Sequence, residues 1–257
     1  MEKLVLTKHS GYFVSCIKEL PDNCKGIVIA VHGFSSSKEC ATYQVLLRML
    51  PAAGLGMIGI DLPGHGKEES YEETLRIEAC KDSIGAVEEY IKVEYPSLPI
   101  YYFGSSYGAY VIGLYISTRG HAGRKAFFRS AAVNMPSLFI KDSLTEEDER
   151  LYEELREKGY FMQGFSLGRP VKVTQGFIDD LSQNNLSEIF DPDKYGPHKI
   201  AMAHGAEDPV IDPAAAAEFS RRFGIEETVF AGEGHSLCND PQTPDRVVDL
   251  AIRLYQS

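Results

Sequence analysis

Two adjacent serines, Ser105 and Ser106, stand between Gly104 and Gly108 in the run YYFGSSYGAY at 101–110. Only Ser106 sits at the centre of a Gly-x-Ser-x-Gly frame. That spacing suits a sharp strand-to-helix turn that lifts the central hydroxyl to the carboxyl end of a sheet, because side chains at the outer positions would strike neighbouring backbone. A serine hydroxyl attacks a carbonyl only when a base takes its proton. His235, in GEGHSL between Gly232 and Gly234, is the candidate base. Asp208, in HGAEDPVID, is the candidate carboxylate that orients the imidazole and stabilises it when protonated, with Glu207 and Asp212 as neighbouring competitors. The chain order of nucleophile, acid and base matches one known solution to this arrangement. Acyl transfer also needs donors for an oxyanion. The main-chain N–H groups of Tyr107 and of Phe34, in VHGFSSSK, are the candidates. Ser105 is expected to point into the fold. His32, His65 and His204 read as hydrogen-bonded loop residues, and His9, His121 and His198 have no supporting context.

These residues must be positioned by strands and helices that the pattern predicts. GIVIAVHG (26–33), LGMIGID (55–61), LPIYYFG (98–104), RKAFFRSAAVN (124–134), HKIAMAHG (198–205) and EETVFAGEG (226–234) read as strands, the first of them an unbroken apolar run. Helical spacing recurs over 41–54, 71–96, the stretch after Ser106, and 242–256. An opening hairpin turns at Ser10-Gly11. Strands alternating with helices predict an α/β fold with a mainly parallel sheet covered on both faces. The segment between Asn134 and Pro197 breaks that rhythm. It carries an acidic helix over 143–160 with a capping box from Ser143 to Glu146, a Gly-punctuated aromatic stretch over 160–173 and a helix over 174–185. The organisation expected is a core in two parts, 1–134 and 198–257, with a lid inserted at 135–197.

The chain of 257 residues carries 37 acidic against 26 basic side chains, a formal net charge of −11. Phosphates would be repelled over most of such a surface, which argues against nucleic-acid or anionic-membrane partners. Five dispersed cysteines without CxxC spacing argue against a zinc site and for free thiols in a reducing compartment, and the charged N-terminal segment lacks a signal-peptide core. A cytoplasmic protein is expected. Nothing in the chain specifies an oligomeric state.

Four motifs stand in one order: HGF at 32–34, DLPGHGK at 61–67, GSSYG at 104–108, then GAEDPV with GEGHS. Together they resemble the α/β-hydrolase superfamily. The resemblance implies Ser106, Asp208 and His235 as a catalytic triad, Phe34 and Tyr107 as oxyanion donors, and no metal or organic cofactor. HGFSSSK and GRPVKVTQGFIDDLSQNN are also similar to the cinnamoyl and feruloyl esterases of gut bacteria. That likeness implies a small lid over an aromatic acyl pocket. Most of the lid aromatics are expected to pack the lid's own core, with Phe161 and Phe165, beside Met135, as the candidate substrate contacts of a pocket for aromatic or medium-chain esters. Serine aminopeptidases, monoacylglycerol lipases and acyltransferases share the same triad, and a non-catalytic receptor is the alternative from another class.

Overall fold

A computed structural model describes residues 1–67, 73–164, 169–196 and 199–257. In chain order the strands are β1 (Glu2–Thr7), β2 (Phe13–Glu19), β3 (Ile27–Val31), β4 (Gly56–Ile60), β5 (Ile100–Ser105), β6 (Gly123–Arg129), β7 (Tyr160–Gln163), β8 (Val171–Thr174), β9 (Ile200–Gly205) and β10 (Glu226–Phe230). The helices are α1 (Ala41–Ala52), α2 (Ile77–Glu94), α3 (Tyr107–Thr118), α4 (Glu146–Lys158), α5 (Gln175–Gln183), α6 (Leu186–Ile189), α7 (Pro192–Tyr195), α8 (Pro213–Phe223) and α9 (Thr243–Gln256).

Eight strands form one sheet in the order β1-β2-β4-β3-β5-β6-β9-β10. β1 and β2 run antiparallel, and from β4 onward every neighbouring pair is parallel. β3 and β4 are buried at every residue because helices cover both faces, which is why their sequences do not alternate. Ile84 and Val87 of α2 and Ile112 and Leu114 of α3 pack on one face, and Leu46 and Leu50 of α1 with Val248 and Ala251 of α9 pack on the other. The parallel ladder aligns the carboxyl ends of β3, β5, β6 and β9 along one edge, and the candidate residues lie there.

The predicted strand at 124–134 stops at Arg129. Ser130 takes a φ of 45°, and its hydroxyl donates to the carbonyl of His235 at 2.8 Å, so a tertiary contact turns the chain before the apolar run ends. Between β6 and β9 the chain forms a short 3-10 turn (Met135–Leu138), α4, the β7–β8 hairpin and α5 to α7. The capping box of α4 starts two residues later than expected. The Thr145 hydroxyl accepts from the N–H of Asp148 at 3.2 Å, and the Asp148 carboxylate accepts from the N–H of Thr145 at 3.0 Å, because the first helical residue is Glu146. α8, suggested in the sequence only by Arg221-Arg222 as the solvated face of a helix, starts after Asp212 with Pro213 and ends at Gly224, both ordinary helix signals. The expected helix over 71–96 begins at Ile77, and its first two positions lie outside the described residues.

Candidate active site

Ser106 is held at φ 52° and ψ −115°, between the last residue of β5 and the first of α3. A side chain at that φ is strained by roughly 1–3 kcal/mol and persists only where its surroundings enforce it. Enforcement comes from close packing of backbone. A Cβ on Gly104 would lie 2.5 Å from Ala109 Cα, and one on Gly108 would lie 2.1 Å from the carbonyl oxygen of Val31. The Ser106 N–H donates to the Arg129 carbonyl at 2.8 Å, which ties the turn to β6. Gly108→Ala is therefore expected to push α3 off β3 and to abolish activity while lowering the thermal midpoint. A Gly108→Ala protein that melts and turns over like the parent would contradict this geometry.

His235 Nε2 lies 2.9 Å from Ser106 Oγ, and its Nδ1 lies 2.7 Å from Asp208 Oδ2. Imidazole can take the serine proton on Nε2 while Nδ1–H donates to the carboxylate. The loop carrying His235 rests on the end of β9, where a Cβ on Gly205 would meet the carbonyl oxygens of Glu233 and Gly234 at 2.4 Å. Asp208 has a fully buried side chain. Its Oδ1 accepts the N–H groups of Val210 at 2.8 Å and Ile211 at 3.0 Å. Burial alone would raise its pKa, but hydrogen bonds from His204 and His235 outweigh burial and hold the carboxyl well below the usual range. The competing acids have other tasks. Asp212 caps α8 through the Ala214 N–H at 2.9 Å, and Glu207 is exposed.

His204 is closer to the chemistry than its sequence context indicated. Its Nε2 lies 3.1 Å from Asp208 Oδ2, the same oxygen that His235 meets, and 3.2 Å from the Ile211 carbonyl, so it braces the acid directly. Nothing in HGAEDP distinguishes this role from ordinary loop bonding. Ser105 is largely buried, and its hydroxyl accepts from Arg129 Nη1 at 2.8 Å and does not meet His235.

The loop after β3 brings Phe34 to the same edge. A Cβ on Gly33 would sit 3.3 Å from Ser106 Cβ, so the peptide joining Gly33 to Phe34 borders the serine. Tyr107 is the first residue of α3, where an N–H has no intrahelical acceptor. Buried polar contacts hold the Phe34 loop. The Lys38 ammonium pairs with Asp61 Oδ2 at 2.6 Å, and the Lys38 N–H donates to Asp61 Oδ1 at 2.6 Å. His32 donates from Nδ1 to the Gly33 carbonyl at 2.7 Å and accepts the Leu62 N–H on Nε2 at 3.1 Å, which requires a neutral ring.

Burial lowers the pKa of His32 to about 4 and of His65 to about 3. Both folded values lie below the unfolded value of about 6.5, so the unfolded chain takes up these protons first. The stability they contribute is full above that value and is lost as the pH falls toward the folded values. The contribution of Asp208, whose pKa is also depressed, is lost further down, below about 4. The thermal midpoint should accordingly be flat above neutrality and fall steadily in acid. A midpoint unchanged down to pH 4 would mean that these rings are not held neutral.

A cavity of about 660 Å³ opens beside Ser106 and His235. Met135 lies on its wall. Phe161 does not: it is buried against Tyr152, in contact with α4, because β7 turns that side chain into the packing of the inserted segment. Phe165 lies outside the described residues. Where the inserted segment meets the core, Phe139 and Phe177 pack with Phe34 and Tyr107 in a cluster of mostly edge-to-face rings. Among the described residues no helix is long and apolar enough to cross a membrane.

The chain shares its fold with many solved hydrolases. Est1E of Butyrivibrio proteoclasticus with ferulic acid bound superposes with a TM-score of 0.77 at 18% identity, covering 99% of this chain and 100% of that one. The esterase domain of a Rhodothermus marinus protein gives 0.70 at 15% identity, covering 98% of each chain. A thermostable carboxyl esterase of Bacillus coagulans in complex with glycerol gives 0.67 at 17% identity, covering 99% and 97%. At these identities the likeness concerns the α/β-hydrolase fold. Among curated proteins none matches the chain significantly. The family described as serine aminopeptidase, S33, matches residues 22–167, more than half of the chain. With that match and the sheet order above, this chain belongs to the serine aminopeptidase S33 family of hydrolases, built on the α/β-hydrolase fold.

Proposed function

We propose that the protein hydrolyses carboxylic esters through Ser106, His235 and Asp208. The observation that carries this reading is the continuous hydrogen-bonded chain from Ser106 Oγ through the imidazole to Asp208. Ser106 Oγ attacks the ester carbonyl carbon as His235 Nε2 takes the hydroxyl proton. The oxyanion is held by the N–H groups of Phe34 and Tyr107. His235 passes the proton to the departing alkoxide, and the acyl group stays on Ser106. Water, deprotonated by the same imidazole, then releases the acid and restores the serine. The segment 135–197 acts as a lid over this site.

An ester is favoured over a peptide by the cavity wall. A peptidase that removes N-terminal residues needs carboxylates to hold the substrate amine. Among the described lining residues the one carboxylate is Glu39, which pairs with Lys67 at 3.7 Å, and the acidic face of α4 is not on the wall. Val45, Leu138, Val247 and Val248 make much of the wall aliphatic, which suits a medium-chain acyl group. The ferulic acid of Est1E keeps aromatic acyl groups among the substrates to try. The test is a panel of p-nitrophenyl acetate, butyrate, octanoate and ferulate against the p-nitroanilides of alanine and leucine. Turnover of the esters with little of the anilides is expected. Faster release from the anilides than from every ester would replace this reading with an aminopeptidase.

A further inference from the structure

Arg129 closes β6 at the carboxyl edge of the sheet and lines the cavity beside Ser105, Ser106 and Ser236. Its guanidinium donates from Nη1 to Ser105 Oγ at 2.8 Å and from Nη2 to the Ser236 carbonyl. It thereby touches the residue before the nucleophile and the residue after the base. A guanidinium carries five N–H donors in a planar fork, and these two contacts leave the others without a protein acceptor among the described residues. No carboxylate lies within ion-pair distance of it among the described residues. Burial lowers its pKa, yet a guanidinium stays charged at neutral pH. The residue is only partly buried, on the wall of the cavity, where a counter-charge carried by a substrate can reach it.

The surroundings suit an anion rather than a second cation. α1 opens onto the same cavity, with Cys40, Ala41 and Thr42 on the wall and no side-chain cap on its first turn. Its dipole adds positive potential there. The other charges among the described lining residues are Glu39 and Lys67, which pair with each other, and Arg169, which donates to the Gly66 carbonyl at 3.2 Å. This wall sits in a chain whose formal net charge is −11, so its basic character is local.

From this juxtaposition we propose that the cavity takes an ester bearing a carboxylate a few bonds from the scissile carbonyl, and that Arg129 is the residue that selects it. The inference rests on the ester-hydrolase reading above and names the substrate class within it. Arg129, the guanidinium beside the nucleophile, matches one negative charge in a strongly acidic chain, which favours a carboxylate over a dianionic phosphate. The planar fork would grip both carboxylate oxygens, and the anchored substrate would present its carbonyl to Ser106.

Two matched pairs of esters test this. On the acyl side the pair is p-nitrophenyl hemisuccinate against p-nitrophenyl methyl succinate. On the alcohol side it is the butyryl ester of glycolate against that of glycolamide. In at least one pair the anionic member should exceed its neutral partner in kcat/KM by about tenfold or more. Arg129→Met should bring that ratio near unity, and Arg129→Lys should keep part of it. Neutral members preferred in both pairs would overturn the proposal, as would a ratio that survives Arg129→Met. An equal loss on both members, with the ratio intact, would make Arg129 a brace for the His235 loop and overturn it too. Should Arg129→Met fail to fold, the parent ratio and the Arg129→Lys ratio decide. Failure of Ser106 to react with a neutral fluorophosphonate would instead defeat the hydrolase reading, so the two failures are distinguishable.

Discussion

Ser106→Ala is expected to lower ester turnover by a factor on the order of a million, and Ser105→Ala by about tenfold or less. The contrast follows from where each hydroxyl is held. Ser106 Oγ stands 2.9 Å from His235 Nε2, whereas Ser105 Oγ faces away and accepts from Arg129. Removing Ser106 leaves the imidazole with no alcohol to deprotonate, so the acyl-enzyme cannot form and only binding and oxyanion stabilisation remain. Removing Ser105 costs one bond to a guanidinium and leaves the turn intact. The measurement is kcat for p-nitrophenyl butyrate on both variants, after the purified proteins have been shown to melt like the parent. Comparable losses in the two variants would mean that the turn presents its serines differently.

Lys38→Met is expected to cost about 3 to 5 kcal/mol of stability and to lower the thermal midpoint by roughly 10 °C. Lys38 and Asp61 are both essentially excluded from solvent, and the lysine supplies both a charge and a main-chain N–H to the carboxylate. Methionine fills similar volume but leaves Asp61 buried without its counter-ion. The loop that presents Phe34 is tied down by this pair, so activity should fall along with stability. Lys38→Met combined with Asp61→Leu should recover part of the loss, because a buried pair replaced by apolar groups forfeits little net energy. A single variant that melts within about 2 °C of the parent would show that the pair contributes less than its burial implies.

The parts of the site that were legible before the fold was known are those set by local sterics or by position at a strand end. GSSYG is legible because the turn itself crowds Gly104 against Ala109, five residues on, although Gly108 answers to Val31 on a neighbouring strand. His235 and Asp208 follow β10 and β9 directly, so locating the strands located the residues. What escaped depends on contacts between distant segments. Lys38 and Asp61 read as two unrelated charges until β3 and β4 place their loops side by side. His204 braces Asp208 only because the turn after β9 folds back over it. The end of β6 at Arg129 is imposed by the His235 loop, and the local apolar run carries no sign of it. Phe161 belonged to an aromatic segment, and only the packing of β7 decides that it faces Tyr152 and not the cavity.

The measurement that bears most directly on the central claim is covalent labelling with a fluorophosphonate, followed by peptide mapping by mass spectrometry. The geometry predicts a single modified residue, Ser106, at a rate that His235→Ala slows by several orders of magnitude. Asp208→Asn should slow it less, since the imidazole remains but loses its orienting partner. Unlabelled protein, or label on Ser105, would contradict an activated serine at this turn and return the cavity to the reading of a receptor without catalysis.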